Sequence, residues 1–335
     1  MINFGIVGFG LHAVKRLMPG FEMATNSRVT ALSRRTIDAA QKSARQYNIP
    51  NAFSSTEDLC RSAAVDAVLV TTPNSLHLQE VLIALRCGKP VLCEKPMGMN
   101  ADECRKMAEA AKEANKLLGV AQVFRFNESV RRFRERVASG EIGKPVFARS
   151  EFCFPAGEDH PRTWINDPKL AGGGPIFDVG VHCIDTLRFI LQDEVIRVGA
   201  YGISDSRSGK LEATADLTLE FSRGTFGTVL VSFRAEYRTP LEIVGETGVL
   251  SARNGLNVEH PVNIELSRGW DVVNSETVSN HLSYALQVDS FAAAVEGKGT
   301  FPAPGEEGWK NQLILDAAYR SIKNGKAEQV GPIGL

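Results

Sequence analysis

The chain has 335 residues, of which 43% are hydrophobic and 23% are charged, and its formal net charge is -1. This composition is typical of a soluble globular protein, and the length favours two domains over one. The near-neutral charge argues against a large basic surface for nucleic acid. The N-terminus lacks a signal-peptide pattern, and no run reaches the roughly 18 apolar residues of a membrane span. We therefore expect a cytoplasmic protein without a nucleic-acid or membrane partner.

The first 120 residues or so alternate short apolar runs with helical patterns. The strand candidates are Ile2–Val7, Val29–Leu32, Ala67–Val70, Val91–Cys93 and Val120–Phe124. The clearest helix is expected over Ala101–Leu118, with Asn100 as its N-terminal cap and Gly119 at its end. Strands that alternate with helices predict a parallel, doubly wound sheet. We therefore assign residues 1–122 to an N-terminal Rossmann domain of an α/β protein.

After about residue 124 the pattern changes to period-two alternation, which is typical of a sheet with one buried face. A helix over Asn127–Ser139 comes first. Inward-facing side chains are then expected on three strands: Val146, Ala148, Phe152 and Phe154; Ala215, Leu217, Leu219 and Phe221; and Val229, Val231 and Phe233. Two helices follow, one ending at Gly297 and one over residues 306–324. Residues 123–335 are thus predicted to form an α+β domain with a large open, mostly antiparallel sheet, and the last helix to pack back on the Rossmann domain.

The first strand runs into a dinucleotide fingerprint of the alanine-ended form, Gly8-Phe9-Gly10-Leu11-His12-Ala13. The first glycine permits a tight turn, the second lets the backbone approach a pyrophosphate, and the small third residue lets helix and strand pack closely. The pyrophosphate is expected on the N–H groups that open the next helix. Because the motif ends a strand and opens a helix, it favours nucleotide binding over a ligand-free turn.

The end of the second strand predicts which cofactor is bound. NAD enzymes usually place Asp or Glu there for the ribose 2′-hydroxyl, whereas this chain has Ser33-Arg34-Arg35. A hydroxyl and guanidinium groups can bind a 2′-phosphate, and each charge-assisted hydrogen bond contributes roughly 1.5–3 kcal/mol. We expect NADP(H) to be preferred and NAD(H) to be the second choice. The alternative is that the arginines are solvated surface charges.

Two further segments carry candidate catalytic groups. The fourth strand ends in Glu94-Lys95-Pro96, and ligands bind at the carboxyl ends of strands in such sheets, so Lys95 is expected beside the nicotinamide. A glycine-rich loop then leads into a helix with Asp178, His182 and Asp185 on one face. An acidic residue one turn from a histidine can orient the imidazole. A buried structural pair is the alternative for Asp178 and His182.

The sequence resembles the glucose–fructose oxidoreductase, inositol dehydrogenase and MocA family over nearly the whole chain. The resemblance is carried by the fingerprint, Thr72-Pro73-Asn74 with His77, the run Gly88–Pro96, the segment Gly172–Asp185 and residues 304–308. Ser33-Arg34, Trp164 and Asp185–Phe189 look most like the NADPH-linked 1,5-anhydrofructose reductase-like members. The resemblance implies a dehydrogenase or reductase that transfers a hydride between NADP(H) and a carbonyl or hydroxyl of a sugar, sugar derivative or polyol. It also implies a homodimer or homotetramer.

The resemblance assigns roles to individual residues. His182 is expected to be the principal general acid/base, Lys95 to position the substrate oxygen and assist proton transfer, and Asp178 to orient His182 or to bind a substrate hydroxyl. Arg125, Arg162 and Trp164 are candidates for the substrate pocket. The expected cofactor-binding residues are Gly8, Phe9, Gly10, Leu11, His12, Ser33, Arg34, Thr72, Pro73, Asn74, His77, Glu94 and Lys95. For His77 a purely structural role is an equal alternative.

Two other function classes fit the same fold. One is a glycosidase that cycles a tightly held NAD, which the arginines after the second strand disfavour. The other is a non-catalytic NADP-binding sensor, which the presence of Lys95, Asp178 and His182 disfavours. No metal site is expected, because the six scattered cysteines form no C-x-x-C pair and the Asp178–His182 spacing lacks a third ligand.

Overall fold

A computed structural model describes residues 1–156 and 161–332, with the side chain of Thr163 not described. Its contacts divide the chain into two compact units. Unit 1 comprises Met1–Val123 and Tyr284–Gln312, and unit 2 comprises Phe124–Ser283 and Leu313–Leu335. His160 lies outside the described residues. In the described part of the chain no helix combines the length and apolarity that crossing a membrane requires.

Unit 1 is built on a six-stranded parallel sheet. Its strands are β1 (Ile2–Val7), β2 (Ser27–Ser33), β3 (Asn51–Phe53), β4 (Ala67–Val70), β5 (Val91–Cys93) and β6 (Leu118–Val120). The spatial order is β3-β2-β1-β4-β5-β6, the dinucleotide-binding order in which ligands lie at the carboxyl ends of the strands. The connecting helices are α1 (Met18–Met23), α2 (Ile37–Gln46), α3 (Thr56–Arg61), α4 (His77–Arg86) and α5 (Ala101–Glu113).

Helix α5 ends earlier than the sequence pattern indicates. Asn100 caps its start as predicted and accepts a hydrogen bond from Glu103 N at 3.0 Å. The expected end at Gly119 was wrong, because Asn115 adopts a left-handed φ of 50° and Lys116 N donates to Ala111 O at 3.0 Å. This closure frees Leu118–Val120 to pair with β5, so the strand predicted over Val120–Phe124 was also misplaced. Val123–Phe126 forms a 3-10 turn instead.

Unit 2 is built on a nine-stranded sheet. Its elements in chain order are α6 (Glu128–Ala138), β7 (Pro145–Cys153), α7 (Pro168–Ala171), α8 (Val181–Leu191), β8 (Val195–Ile203), β9 (Thr214–Phe221), β10 (Phe226–Ser232), β11 (Leu241–Gly245), β12 (Val249–Ala252), β13 (Val262–Arg268) and β14 (Asp271–Val278). After β14 the chain forms helix α9 (Ser283–Val295), which belongs to unit 1 from Tyr284 on, helix α10 (Gly305–Asn324), which belongs to unit 1 up to Gln312, and strand β15 (Glu328–Gln329) of unit 2. The spatial order is β14-β13-β12-β11-β7-β10-β9-β8-β15, and only β7 and β10 pair in parallel.

The predicted fold class is confirmed: a Rossmann sheet and a second, mostly antiparallel sheet. On β9 the alternation of Ala215, Leu217, Leu219 and Phe221 with polar residues corresponds to buried and solvent-facing positions. Val146 is an exception, because it was predicted to face inward and is 51% exposed at the start of β7. A short π-helix over Ile176–Gly180 leads into α8, which packs on β7 and β10.

The segment Tyr284–Gln312 completes unit 1 although it lies far along the chain. Phe291 of α9 packs against Phe4 of β1, with ring centroids 6.1 Å apart. Val120 N donates to Ala303 O at 2.8 Å at the edge of the parallel sheet. Asp289 accepts hydrogen bonds from Thr25 N at 2.6 Å and from Asn26 N at 2.9 Å. This late segment therefore covers one wall of the Rossmann core.

Candidate active site

The fingerprint loop follows β1 and requires a glycine at its first position. Gly8 has a φ of 81°, which side-chain-bearing residues rarely adopt. A Cβ atom there would also lie 2.6 Å from Thr72 Cγ2 and 2.9 Å from Thr72 N. Both observations show that the turn brings the ends of β1 and β4 into direct contact.

The second glycine is open where the first is enclosed. A Cβ atom added to Gly10 would meet only Gly8 O, at 3.6 Å. Near this loop the buried Thr72 Oγ1 has no hydrogen-bond partner in the described part of the chain. An approachable backbone at a helix start and an unsatisfied hydroxyl fit the phosphates of a dinucleotide. Phe9 is buried against Tyr47, with ring centroids 5.4 Å apart, so only its backbone faces this loop.

The end of β2 adjoins the fingerprint through a backbone hydrogen bond, because Phe9 N donates to Ser33 O at 3.0 Å. Ser33 is buried, and the exposed Arg34 donates from Nη1 to Ser43 Oγ at 2.9 Å. This bond holds one guanidinium group next to the fingerprint. The neighbouring Arg35 is exposed.

His77 links the carboxyl ends of β4 and β5. The imidazole is fully buried, and its Nδ1 and Nε2 lie 3.0 Å from Pro96 O and 2.9 Å from Thr72 O. Burial lowers the pKa of His77, although hydrogen bonds to the two carbonyl groups act in the opposite direction. Both ring nitrogens lie within hydrogen-bond distance of backbone carbonyl groups, and the neutral imidazole donates to one of them, so the residue links the Thr72 and Lys95 segments. The Lys95–Pro96 peptide bond is cis.

Glu94 and His12 join the end of β5 to the start of the π-helix over Ala13–Leu17, which follows the fingerprint and leads into α1. His12 Nε2 lies 2.9 Å from Glu94 Oε1, and Lys95 N donates to Glu94 Oε2 at 3.2 Å. Burial alone would raise the pKa of Glu94, but the charges and hydrogen bonds of His12 and Lys95 outweigh burial and lower it. Glu94 is thus a buried carboxylate that fixes the backbone at Lys95. We call these residues, with Gly8, Gly10 and Thr72, the cofactor-side cluster.

In unit 2, Asp178 lies on the π-helix and forms an ion pair that sequence spacing does not reveal. Arg162 donates from Nη1 and Nη2 to the two carboxylate oxygens of Asp178, at 2.9 and 2.8 Å. The guanidinium group also lies over the ring of Phe154, 5.9 Å from its centroid. Arg162 and Asp178 therefore form a fixed, bidentate pair of opposite charges.

His182 lies in the first turn of α8, between two aromatic rings. The centroid of Phe124 is 4.5 Å from that of the imidazole, at an interplanar angle of 34°. The ring of Phe152 lies at 6.4 Å and 27°. These rings leave His182 only 7% exposed and restrict rotation of the imidazole. We call Phe124, Phe152, Arg162, Asp178 and His182 the histidine cluster.

The other two substrate-pocket candidates have different surroundings. Arg125 is buried and donates from Nε and Nη2 to the two carboxylate oxygens of Asp185, at 2.8 and 2.6 Å. This pair fastens the residue after Phe124 to α8. Trp164 is half-buried in a 3-10 turn over Thr163–Asn166.

Comparison with known proteins identifies the chain. Residues 2–122 match the oxidoreductase family with an NAD-binding Rossmann fold, and residues 130–251 match the GFO/IDH/MocA C-terminal domain. A 1,5-anhydro-D-fructose reductase from Ensifer adhaerens is 30% identical over 98% of this chain and 99% of its own length. The chain belongs to the GFO/IDH/MocA oxidoreductase family. The resemblance and the enzyme class predicted from the sequence are confirmed.

Other GFO/IDH/MocA-related proteins match over the same span. A D-xylose 1-dehydrogenase (NADP(+)) from Haloferax volcanii is 32% identical over 98% of this chain and 99% of its own length. An aldose-aldose oxidoreductase from Caulobacter crescentus, solved with glycerol, superposes with a TM-score of 0.90 at 24% identity. The superposition covers 98% of this chain and 99% of the Caulobacter crescentus chain. At this identity it supports the fold alone.

Sequence reasoning missed the two aromatic members of the histidine cluster, Phe124 and Phe152, and the neighbouring Phe154. Phe124 was placed in a strand, and Phe152 and Phe154 were assigned only to a buried sheet face. The signal available was weak: the three aromatic residues stand at the junction of two domains and at the end of a strand, and nothing in their spacing pairs them with His182. The Arg162–Asp178 pair joins residues 16 positions apart and likewise has no local signature.

Proposed function

We propose that the chain transfers a hydride between NADP(H) and a carbonyl or hydroxyl group of a sugar, sugar derivative or polyol. One observation carries the proposal: a chain that matches two sugar oxidoreductases over 98% of its length also has Lys95, Asp178 and His182. We further propose that residues 1–122 bind the cofactor and that residues 123–335 bind the substrate and form a homodimer or homotetramer. We expect this assembly to work in the cytoplasm.

The cofactor-side cluster supports dinucleotide binding. We propose that the backbone at Gly8–Gly10 and the Thr72 hydroxyl hold the pyrophosphate, with Pro73 and Asn74 lining the same edge. Ser33 and Arg34 hold a 2′-phosphate, and the absence of a carboxylate directly after β2 removes a repulsive charge. NADP(H) is therefore favoured over NAD(H). When bound, the nicotinamide supplies or accepts the hydride.

The protein contributes charge stabilisation and proton transfer. The Lys95 ammonium positions the substrate oxygen and stabilises negative charge that develops on it during reduction. His182 donates a proton to that oxygen, or removes one in the oxidative direction, and such transfer is typically worth about 10²–10⁴ in rate. The aromatic rings beside His182 hold the imidazole in one orientation. Arg162 and Trp164 bind substrate hydroxyl groups, and Arg125 acts through Asp185.

Asp178 has a modified role in this proposal. Its carboxylate is held by Arg162 on both oxygens, so a substrate hydroxyl that approaches Asp178 also approaches a guanidinium donor. The pair offers an acceptor and a donor side by side with no net charge. Such an arrangement suits an uncharged polyhydroxyl compound, whose hydroxyl groups both donate and accept.

The test is a binding and turnover assay on the purified protein. Binding of NADPH and NADH is measured by fluorescence, and a panel of aldoses, ketoses, anhydro sugars and inositols is screened for absorbance change at the reduced-cofactor band. We expect NADP(H)-linked turnover that falls at least about 10²-fold in Lys95→Met and His182→Ala while NADPH binding persists. Lys116→Met and His281→Ala are matched controls on exposed residues, and their turnover should equal that of the wild type.

Three outcomes would contradict the proposal. Glycoside cleavage without net cofactor turnover would indicate a redox-cycling glycosidase. Tight NADPH binding without turnover of any compound would favour a sensor. For cofactor choice, Arg34→Ala should weaken NADPH binding by tenfold or more, as expected for loss of a bond of roughly 1.5–3 kcal/mol, and leave NADH binding unchanged. Equal weakening of NADPH and NADH binding would show that Arg34 does not bind the 2′-phosphate.

A further inference from the structure

The glycine-rich loop before the π-helix that leads into α8 is enclosed by two residues from distant parts of unit 2. A Cβ atom on Gly173 would lie 2.0 Å from Tyr319 Oη, and one on Gly174 would lie 2.1 Å from Glu212 O. Both glycines are buried. Glycine is therefore required here because Tyr319 and Glu212 occupy the space of a side chain. The loop is therefore closely packed.

Glu212 also bonds the start of the helical segment directly. Its Oε1 accepts a hydrogen bond from Ile176 N at 3.0 Å and another from the Tyr319 hydroxyl at 2.8 Å. Tyr319 makes an edge contact with Phe177, with ring centroids 5.6 Å apart. Glu212 and Tyr319 thus contact Gly173, Gly174 and the two residues that open the π-helix.

This contact provides a cap that the local sequence lacks. The residue before the π-helix is Pro175, which makes no side-chain capping hydrogen bond. The first N–H groups of a helix have no partner within it, and a carboxylate there also interacts favourably with the helix dipole. Glu212, 36 positions away, supplies this carboxylate to Ile176. Asp178 follows two residues later and His182 six residues later.

Burial makes this cap sensitive to substitution. Glu212 is buried and Tyr319 is half-buried, and burial raises the pKa of Glu212, against the hydrogen bonds from Tyr319 and Ile176. The pKa of Tyr319 is raised by burial and then by the neighbouring Glu212. Replacement of the carboxylate by a methyl group would leave a buried N–H and a buried hydroxyl unsatisfied.

We propose that Glu212 and Tyr319 are positioning residues, which fix the first turn of the helical segment and thereby the placement of Asp178 and His182. The inference rests on the proposed function, because it assumes that these two residues take part in the reaction. It also explains the glycines of the G-G-G-P segment, which leave space for Glu212 and Tyr319. Glu212 and Tyr319 make no described hydrogen bond to Asp178 or His182, and they act through the backbone.

Kinetics of four variants test the proposal. In Glu212→Ala we expect kcat to fall roughly ten- to hundredfold, as for a catalytic group displaced by about 1 Å, with the Kd for NADPH unchanged. Glu212→Gln should keep most of the activity, because its amide oxygen still accepts from Ile176 N. Tyr319→Phe should give an intermediate kcat. Tyr201→Phe, whose side chain is 78% exposed on β8, is the matched control and should equal the wild type.

A second readout does not depend on turnover. In histidine-labelled protein, the imidazole resonance of His182, assigned from His182→Ala, should shift in Glu212→Ala and Tyr319→Phe, while those of His12 and His77 stay in place. An unchanged His182 resonance, with kcat per bound NADPH at the wild-type level and only the melting temperature lowered, would overturn the proposal. If Glu212→Ala does not fold, Tyr319→Phe decides by the same criteria, and Glu212→Gln should stay close to the wild type in both readouts. If the wild type turns over no sugar, the proposed function fails and the resonance alone decides the positioning role.

Discussion

Gly8 and Gly10 stand two residues apart in one motif and differ in why they are glycine. Gly8 is required by the protein itself, since its φ is 81° and Thr72 lies within 3 Å of a Cβ position. Gly10 has no such neighbour, so the fold does not require it to be glycine. We propose that the requirement at Gly10 comes from the approach of a dinucleotide to the backbone.

We therefore predict opposite consequences for two alanine substitutions. Gly8→Ala should lower the free energy of unfolding by about 1–3 kcal/mol, because the new methyl group meets Thr72 in a strained backbone conformation. The free energy of unfolding of Gly10→Ala should lie within about 0.5 kcal/mol of the wild-type value, whereas its binding of NADPH should be much weaker. Urea denaturation and fluorescence titration measure the two effects. Normal NADPH affinity in Gly10→Ala would show that the phosphates do not lie at this loop.

Which residues were predictable depends on whether their signal is local. The positions of Gly8, Ser33 and Lys95 at or just after strand ends were predictable, because each stands in a motif of fixed spacing. Arg162 with Asp178, and Glu212 with Ile176, are joined only by the folded chain. A contact between distant residues is set by sheet and helix packing, which local periodicity does not encode.

Elements of unit 1 are fastened at their ends by single buried groups, and His77 at the start of α4 is the clearest case. Its lowered pKa means that the unfolded chain binds a proton at higher pH than the folded chain does. The stability that His77 contributes is therefore present above its ordinary pKa of 6.5 and is lost as the pH falls below that value.

From this we expect His77→Gln to be destabilised by about 1–3 kcal/mol at pH 8, because the backbone carbonyl groups lose a well-placed donor. The difference in the free energy of unfolding between wild type and variant should shrink as the pH is lowered to 5, since the wild type then loses the stability that neutral His77 contributes. Urea denaturation across this pH range measures it, with the exposed His260→Gln as the control. A difference that does not vary with pH would argue against titration of a buried His77.

Helix α8 is held by a buried ion pair between Arg125 and Asp185. Asp185 also lies 3.9 Å from Arg188 Nη1, so its removal leaves two arginines without this carboxylate. We predict that Asp185→Ala lowers the free energy of unfolding by about 3–5 kcal/mol and that Arg125→Ala lowers it by less. Arg125→Met combined with Asp185→Leu should recover much of the stability. Additive effects in this double-mutant cycle would show that the pair is not coupled.

Element boundaries were predictable where a cap or a glycine marks them. Asn100 and Gly325 bound α5 and α10 as expected. The end of α5 was missed because an asparagine, Asn115, takes the left-handed conformation usually left to glycine. Strand β3 was missed because three residues are too few to show a period, and the π-helix over Ile176–Gly180 because its extra residue per turn leaves no mark in an apolar run.

At the scale of the whole molecule, unit 1 is discontinuous in sequence. Residues 1–123 contain every strand of the parallel sheet, but Phe291 and Ala303 of the later segment pack on or bond to that sheet. A fragment that ends at residue 123 would expose the core surface around Phe4 and Gly119, next to which Phe291 and Phe301 lie in the complete chain.

We predict that a fragment of residues 1–123 does not fold stably and does not bind NADPH. Residues 1–123 joined to residues 284–312 by a flexible linker should show a cooperative unfolding transition and bind NADPH. Circular dichroism and fluorescence titration measure both properties. If the shorter fragment folds and binds the nucleotide equally well, the later segment is dispensable to unit 1.

The same discontinuity sets an order of events during synthesis. Domains usually fold as they leave the ribosome, the N-terminal one first. Here the first 123 residues leave the ribosome before Tyr284–Gln312, which completes unit 1, has been made. All of Phe124–Ser283 is translated in between. Unit 2 in turn is incomplete until Leu313–Leu335 has been translated. A nascent chain therefore completes unit 1 only after most of unit 2 has been synthesised, and the residues translated first are exposed longest to chaperones that shield apolar sheet surfaces.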